Sequence, residues 1–409
     1  MRLNPFRAIR PRPDLAAQVA SVPYDVVNRE EAAELARGNP HSFLHVGRSD
    51  IDLPGDVDPY DPRIYARARE ALDRLLAEGA LLKDGKPALF LYRQVMDGRA
   101  QTGVVGCVHV DDYERDVIRK HEKTRPDKED DRTRHVLTLH ANAEPVFLTY
   151  RGRPEIDGLV ASIVSGSPPL YDFTAPDGVR HTVWQVPDPA ALARAFDPVP
   201  HSYVADGHHR SASAWRAGKE LRAKNASHRG DEEYNWFLAV LYPAEQLRIL
   251  PYNRVVRDLN GMTPSELLDR LGRLGALTPA TEPLPDRAGV MCVFLDGRWH
   301  RLELDAAGID RSDPIASLDV SLLQDRILSP LLGIGDPRTD KRIDFVGGIR
   351  GTAELERRVR SGEMAIAFSL FPTALEQLMA VSDGGHVMPP KSTWFEPKLR
   401  SGLFVHELS

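Results

Sequence analysis

SYVADGHHRSASAWRAG, residues 202–218, combines the end of an apolar strand, a polar turn and the start of a helix. Asp206 is of a type preferred at helix N-caps, and Gly207 permits a sharp turn. Small residues at 211–214 allow the helix to pack closely on its strand. The segment predicts a strand–turn–helix joint, which is typical of α/β and mixed α+β proteins.

The beginning of this helix has the chemistry of an anion site. Its first N–H groups have no partner within the helix, and they lie beside two imidazoles and a guanidinium. A Walker A loop and a dinucleotide fingerprint are both absent, because neither glycine spacing is present. The alternative is a pair of ordinary surface histidines at a common joint. We expect Asp206, Gly207, His208, His209 and Arg210 to bind phosphate or nucleotide.

The composition is that of a globular protein with 42% apolar and 27% charged residues. A net charge of -6 argues against a nucleic-acid partner. No apolar run is long enough for a membrane span, and the N-terminus lacks a secretory pattern. Cys107 and Cys292 lie in apolar strand-like runs, which predicts buried free thiols and a cytoplasmic location. We expect a small-molecule substrate and no membrane partner; a homo-oligomer is compatible with the sequence.

The chain of 409 residues is expected to form several lobes. We assign residues 1–225 to an N-terminal lobe that carries the ADGHHR element. Residues 226–380 are assigned to a second α/β lobe, and residues 381–409 to a C-terminal tail that folds back to the site. Strand and helix patterns alternate and hairpins are frequent, so we predict a mixed α/β (α+β) fold with mixed sheets.

A first candidate outside the central segment is Asp25, in VPYDVV. It follows Pro-Tyr in a predicted turn, which exposes its carboxylate. It is interpreted as a general base, a magnesium ligand or the N-cap of the next helix.

The second candidate segment is RKHEKTRPDKEDDR, residues 119–132. It mixes cations with a carboxylate and a hydroxyl, as a phosphate clamp with an acid–base partner would. His121 and Glu122 are its candidate site residues. The alternative is a solvated charge run, which we favour for residues 127–131.

The third candidate segment is MPPKSTWFEPKL near the C-terminus. A rigid loop carrying Lys391, Ser392 and Thr393 is suited to holding phosphates or bound magnesium. A structural tail that packs Trp394 and Phe395 is the alternative, and both interpretations are compatible.

Five separated motifs occur in one order: VPYDVV, RKHEKT, VADGHHR, RTDKRIDFVGG and MPPKSTWFEPKL. Together they resemble the bacterial and archaeal family called domain of unknown function 1015, from Asn4 to Leu408. That resemblance implies no activity, because the family has none assigned.

ADGHHR also resembles the Gly-x-x-Arg element of the ParB/sulfiredoxin superfamily, over about twenty residues. This group includes the ParB partition CTPases, sulfiredoxin and free L-serine kinases with an Asp-Gly-His-His-Arg segment. The resemblance implies a ParB/sulfiredoxin-like nucleotide-binding core with additional lobes, and it places residues 206–210 around a phosphoryl donor. The chain is longer than a free serine kinase, and the counterpart of their catalytic glutamate is open among Asp25, Glu30 and Glu122.

The function predicted from these motifs is a kinase acting on the hydroxyl of a free amino acid, with L-serine as first choice. ATP, ADP or pyrophosphate is the donor, and Mg²⁺ is the expected cofactor. Asp25, His209 and Glu122 are the predicted catalytic residues. The predicted phosphate-binding residues are Asp206, Gly207, His208, His209, Arg210, His121, Lys391, Ser392 and Thr393.

Two other functions stay open at this point. One is a ParB-like switch that binds and hydrolyses nucleotide. The other is a phosphodiesterase or nuclease that uses His208 or His209.

Overall fold

A computed structural model describes all residues from Met1 to Ser409, and they form a mixed α/β fold with several sheets. The chain divides into two compact units. The first comprises Met1–Leu247 and Pro397–Ser409, and the second comprises Arg248–Glu396. The first unit extends beyond residue 225, where the sequence placed its end, because the strand Trp236–Pro243 pairs within its sheet. The second unit ends at Glu396, later than the expected residue 380.

The first unit is built on a nine-stranded mixed sheet. Its strands are β1 (Leu3–Asn4), β4 (Phe90–Met96), β5 (Arg99–His109), β6 (Ile118–Arg119), β8 (Val146–Tyr150), β9 (Tyr171–Thr174), β10 (Arg180–Gln185), β11 (Ser202–Asp206) and β12 (Trp236–Pro243). Their order is β6-β11-β8-β12-β5-β4-β10-β9, with β1 against β5.

A smaller four-stranded sheet and nine α-helices complete this unit. The small sheet has the order β3 (Leu81–Lys83), β2 (Ala8–Pro11), β21 (Val405–Glu407) and β7 (Ala141–Asn142). The helices are α1 (Ala16–Val19), α2 (Arg29–Ala36), α3 (Leu44–Gly47), α4 (Pro62–Ala77), α5 (Val110–Glu114), α6 (Pro126–Leu139), α7 (Pro154–Gly166), α8 (Pro189–Phe196) and α9 (His208–Lys224).

The pairing of the strands around β11 determines which chain segments meet at one end of these strands. β6 is parallel to β11, and β8 is antiparallel to β11. The residues that follow β6, those that follow β11 and those that precede β8 are therefore brought to the same end of the sheet. These are residues 120–122, 207–210 and 143–145.

Helix α9 packs closely on the sheet, as its small residues predict. Ser211, Ala212, Ser213 and Ala214 are all buried. Four consecutive residues span most of the helix circumference, so neighbouring elements cover this part of the helix on several sides.

The second unit contains a six-stranded antiparallel sheet. Its order is β15 (Gly275–Pro279), β17 (Arg298–Leu304), β16 (Val290–Leu295), β19 (Ile366–Leu370), β14 (Tyr252–Val256) and β18 (Ile343–Gly347). The pair β13 (Ile249–Leu250) and β20 (Trp394–Phe395) is separate. The helices are α10 (Pro264–Leu271), α11 (Asp319–Leu323, continued by a π-helix over Gln324–Leu328), α12 (Gly351–Arg360) and α13 (Leu375–Asp383).

Two sequence expectations concern residues away from the site. Cys107 and Cys292 are free and buried, as predicted. The expectation of a solvated charge run is wrong for Asp131, which is buried in α6 and accepts hydrogen bonds from Tyr65 and Arg132 at 2.8 Å each.

None of the helices is long and apolar enough to cross a membrane.

His181 on β10 is a buried polar residue whose protonation the fold opposes. Arg400 Nε donates to His181 Nε2 at 3.3 Å, and Nδ1 lies 2.7 Å from the hydroxyl of Tyr92. Burial, together with the charge of Arg400, lowers the pKa of His181 to about 3. The neutral imidazole accepts from the guanidinium, whereas an imidazolium could not.

We expect this unprotonated histidine to make the fold sensitive to acid. The unfolded chain takes up a proton near pH 6.5, and the folded chain does so only near pH 3, so stability falls as the pH drops between these values. Denaturant unfolding of His181→Gln should show a free energy of unfolding that depends less on pH, by up to about 1.4 kcal/mol per pH unit. An unchanged slope in the variant would contradict this origin.

Candidate active site

The predicted strand–turn–helix joint is present: β11 ends at Asp206 and α9 begins at His208. Asp206 is not the N-cap, contrary to the expectation. Gly207 occupies that position in a left-handed conformation with φ of 93°, and no side chain caps the helix. The Asp206 carboxylate instead pairs with Arg210 at 3.3 Å and with Lys398 at 3.5 Å.

Gly207 is required here by both conformation and space. Its positive φ favours glycine, and a Cβ atom would lie 3.0–3.2 Å from guanidinium atoms of Arg210. The turn therefore lets the buried guanidinium pass directly beside the backbone.

Arg210 is a buried cation at the start of α9. Its Nη1 donates to the carbonyl of Pro145, and its Nη2 donates to Asp206. Burial by itself would lower its pKa, but the charges of Asp25, Asp206 and Glu144 outweigh burial and raise it. Arg210 therefore stays charged at neutral pH and provides positive charge at the helix start.

The first turn of α9 presents several hydrogen-bonding groups. The N–H of Ser211 donates to the carbonyl of Gly207 at 2.9 Å, so the helix does not use the N–H groups of residues 207–210. His208 Nε2 and Arg210 Nε are buried and have no hydrogen-bond partner. The unused helix N–H groups and the Nε donor of Arg210 are typical of an anion site.

His121 and His208 meet edge to face, with ring centroids 4.4 Å apart. Burial is the main cause that lowers the pKa of each to about 3. Both are therefore neutral at pH 7. His208 can contribute a hydrogen bond or a lone pair, but no positive charge.

Glu122 and His209 lie beside this pair. A carboxylate oxygen of Glu122 is 4.0 Å from His208 Nδ1. The Nε2 atom of His209 accepts a hydrogen bond from the backbone N–H of Arg125 at 3.1 Å. The RKHEKT segment and the ADGHHR segment therefore lie next to each other.

Asp25 lies in an exposed turn, and the N-cap interpretation of this residue is wrong. Asn28 caps α2 and forms a capping box with Glu31. Asp25 nevertheless acts electrostatically on the site, because its charge is the largest of those raising the pKa of Arg210. Glu30 is exposed in the first turn of α2.

Glu144 is a site residue that sequence reasoning missed. Its carboxylate is buried and accepts hydrogen bonds from Ser401 Oγ at 2.8 Å and from the Tyr24 N–H at 3.3 Å. It also helps to raise the pKa of Arg210. The carboxyl group therefore lies between Arg210 and the segment that carries Asp25.

The environment of Glu144 is unusual for a carboxylate. Burial raises its pKa, and the charges of Arg210 and Arg132 oppose that effect. A small cavity beside it is lined in part by Arg132, His135, Glu144 and Arg210. The available sequence signal was a single charged residue next to a proline in ANAEPVFLTY, immediately before the mostly apolar run VFLTY.

Lys391, Ser392 and Thr393 belong to the second unit. Within it, Ser392 Oγ donates to the carbonyl of Pro389 at 2.6 Å, and Lys391 Nζ lies 5.6 Å from the centre of the Tyr252 ring. These contacts fit the structural interpretation of the loop. The expected part of these residues in phosphate binding stays a prediction.

The model of a family described as "Protein of unknown function (DUF1015)" matches residues 3–321. This match confirms the family resemblance, and the motifs RTDKRIDFVGG and MPPKSTWFEPKL lie beyond the matched residues. No curated protein matches the chain.

Three solved structures are similar to parts of this chain. A free serine kinase in complex with AMP is 12% identical, over 73% of this chain and 91% of the kinase, with a TM-score of 0.36. A conserved hypothetical protein from Pyrococcus furiosus is 12% identical, over 74% and 95% of the two chains, with a TM-score of 0.36. SbnI with a C-terminal truncation, from Staphylococcus aureus, is 13% identical over 74% and 87%, with a TM-score of 0.39. Likenesses this distant carry no inference about activity.

We expect Gly207→Ala to destabilise the protein more than Gly230→Ala. Both glycines have a φ near the same positive value, 93° and 98°. Each substitution costs about 1–2 kcal/mol of backbone strain. Only at Gly207 does the new methyl group meet a buried guanidinium, whereas space around Gly230 is open. Denaturant unfolding measures both losses, and equal losses would contradict the crowding argument.

Proposed function

We propose that this chain, which belongs to the DUF1015 family of proteins of unknown function, transfers a phosphoryl group to the hydroxyl of a free amino acid. L-serine is the acceptor we favour, and ATP, ADP or pyrophosphate is the donor. One observation carries the proposal: an exposed carboxylate, Asp25, is electrostatically coupled to the buried cation Arg210 at the start of α9. In the proposed arrangement, the phosphate-binding turn and the proton acceptor are therefore neighbours. The Asp-Gly-His-His-Arg segment, which resembles that of free L-serine kinases, supports this choice of acceptor.

Phosphoryl transfer depends mainly on positioning and on charge neutralisation. In the proposed arrangement, N–H groups at the start of α9 bind the donor phosphates, and Arg210 balances their charge. His208 is neutral and donates or accepts a hydrogen bond. His209 lies in the same helical turn and is proposed to contact the transferred group.

Asp25 is proposed as the general base. The acceptor hydroxyl oxygen attacks the terminal phosphorus, and the bond from phosphorus to the leaving phosphate oxygen breaks. The hydroxyl proton passes to the Asp25 carboxylate. Magnesium, the expected cofactor, prefers oxygen ligands and would be held mainly by the donor phosphates.

A transfer screen tests this proposal directly. The full chain would be incubated with Mg²⁺ and ATP, ADP or pyrophosphate, against pooled amino acids, with products identified by mass spectrometry. A phosphorylated amino acid supports the proposal. Free phosphate with no phosphorylated acceptor would contradict it and favour a hydrolysing switch.

Substitutions in the α9 turn should lower turnover without unfolding the protein. We expect His209→Ala and Arg210→Lys each to reduce the rate by roughly 10²-fold, the usual effect of losing one transition-state contact. Arg194→Ala, at an exposed arginine in the last turn of α8, is the matched control. Unchanged rates in both turn variants would remove α9 from the mechanism.

Asp25→Asn should lower turnover by roughly 10²-fold and leave donor affinity nearly unchanged, because a base acts on the acceptor. Glu30→Gln, the neighbouring exposed carboxylate, should retain the rate. Loss of donor binding in Asp25→Asn would instead identify a metal ligand. A rate loss in Glu30→Gln alone would transfer the role to Glu30.

A further inference from the structure

His121, Glu122 and His208 form a cluster of side chains that could hold a metal ion. Each offers one ligand atom, and these atoms lie within 4.8 Å of one another. The parallel pairing of β6 with β11 explains the meeting, since His121 and Glu122 follow one strand and His208 follows the other. Sequence spacing could not reveal this set, because its members come from two distant segments.

A second observation points to a ligand at this cluster. His208 is buried, and its Nε2 atom has no hydrogen-bond partner. Leaving a buried polar atom unsatisfied costs about 1–3 kcal/mol, and such atoms in native proteins call for an explanation. The other ring nitrogen, Nδ1, lies 4.0 Å from a carboxylate oxygen of Glu122. A cation bound at Nε2 would supply the missing partner.

The surroundings of the other two residues suit ligation. A ring nitrogen of His121 hydrogen-bonds to the backbone of Val204, the type of outer contact that fixes the tautomer of a metal-bound histidine. The Glu122 side chain is 35% exposed, so its carboxylate has room to adjust.

We propose that His121, Glu122 and His208 bind one divalent transition-metal ion, with Zn²⁺ as the best match. Two imidazoles and one carboxylate are a known ligand set of zinc sites that keep an open position. Ligand atoms at about 2.0–2.1 Å from zinc lie roughly 3.3–3.5 Å apart, so the widest separation in the cluster must shrink by up to about 1.4 Å. Magnesium is disfavoured, because it prefers oxygen ligands.

Such an ion would provide positive charge next to the α9 turn, where the two histidines are neutral. Its open position would accept water or a phosphate oxygen. This role rests on the proposed phosphoryl transfer, but binding of the metal does not.

Equilibrium dialysis of the chelator-stripped full chain tests the binding without nucleotide or acceptor. The protein would be dialysed against Zn²⁺ in excess Mg²⁺, and bound zinc would be measured by mass spectrometry. We expect one zinc per chain. No bound zinc, or full displacement by millimolar Mg²⁺, would overturn the proposal.

Variants assign the zinc to these residues. His208→Gln should weaken binding by at least roughly 100-fold, and Glu122→Gln by at least roughly tenfold. His208 is buried, so His208→Gln could prevent folding. Glu122 is partly exposed, so Glu122→Gln keeps the test decisive in that case. His228→Ala is the control, since His228 pairs with Glu232 elsewhere at 2.8 Å. Unchanged zinc affinity in Glu122→Gln would contradict the site, and zinc binding without phosphoryl transfer would refute only the proposed function.

Discussion

The buried carboxylate of Glu144 is the contact on which the rest of the site depends. Removing a charge from water is costly, and only nearby cations and donors compensate for it. Arg210 and Arg132 supply the charge, and Ser401 and the Tyr24 N–H supply hydrogen bonds. Segments from the beginning, middle and end of the chain are thereby held around one group. Loss of such a partner leaves an uncompensated charge, which typically costs 3–5 kcal/mol.

The compensation of the buried Glu144 charge and the order of the strands together place two kinds of polar group in the site. Arg210 is buried among carboxylates, which keeps it charged. His121 and His208 are buried and in edge-to-face contact, and their burial keeps them neutral. Cationic and neutral nitrogen donors are therefore adjacent within the first turn of one helix. That combination suits binding of an anion together with a metal ion better than it suits binding of either alone.

Much of the local structure was predictable from short patterns. The joint at residues 202–218 follows from an apolar strand, a glycine and a run of small residues, all of which are near neighbours in the chain. The hairpin turn at Asp97 and Gly98 has two positive φ angles, 51° and 74°, as its Asp-Gly pair indicates. Such features depend on interactions over a few residues, so sequence alone is sufficient for them.

Sequence by itself determined the mixed α/β fold, the family, the buried thiols and the joint that carries Arg210. Tertiary structure alone decided which side chains meet there. The pairing of His121 with His208 and the position of Glu144 depend on strand order, which local patterns do not encode. Side-chain roles also changed with context: Asp206 pairs with cations where its type favours a cap, because Gly207 takes the cap position. Burial and long-range charge decide these roles, and both exist only after the chain has folded.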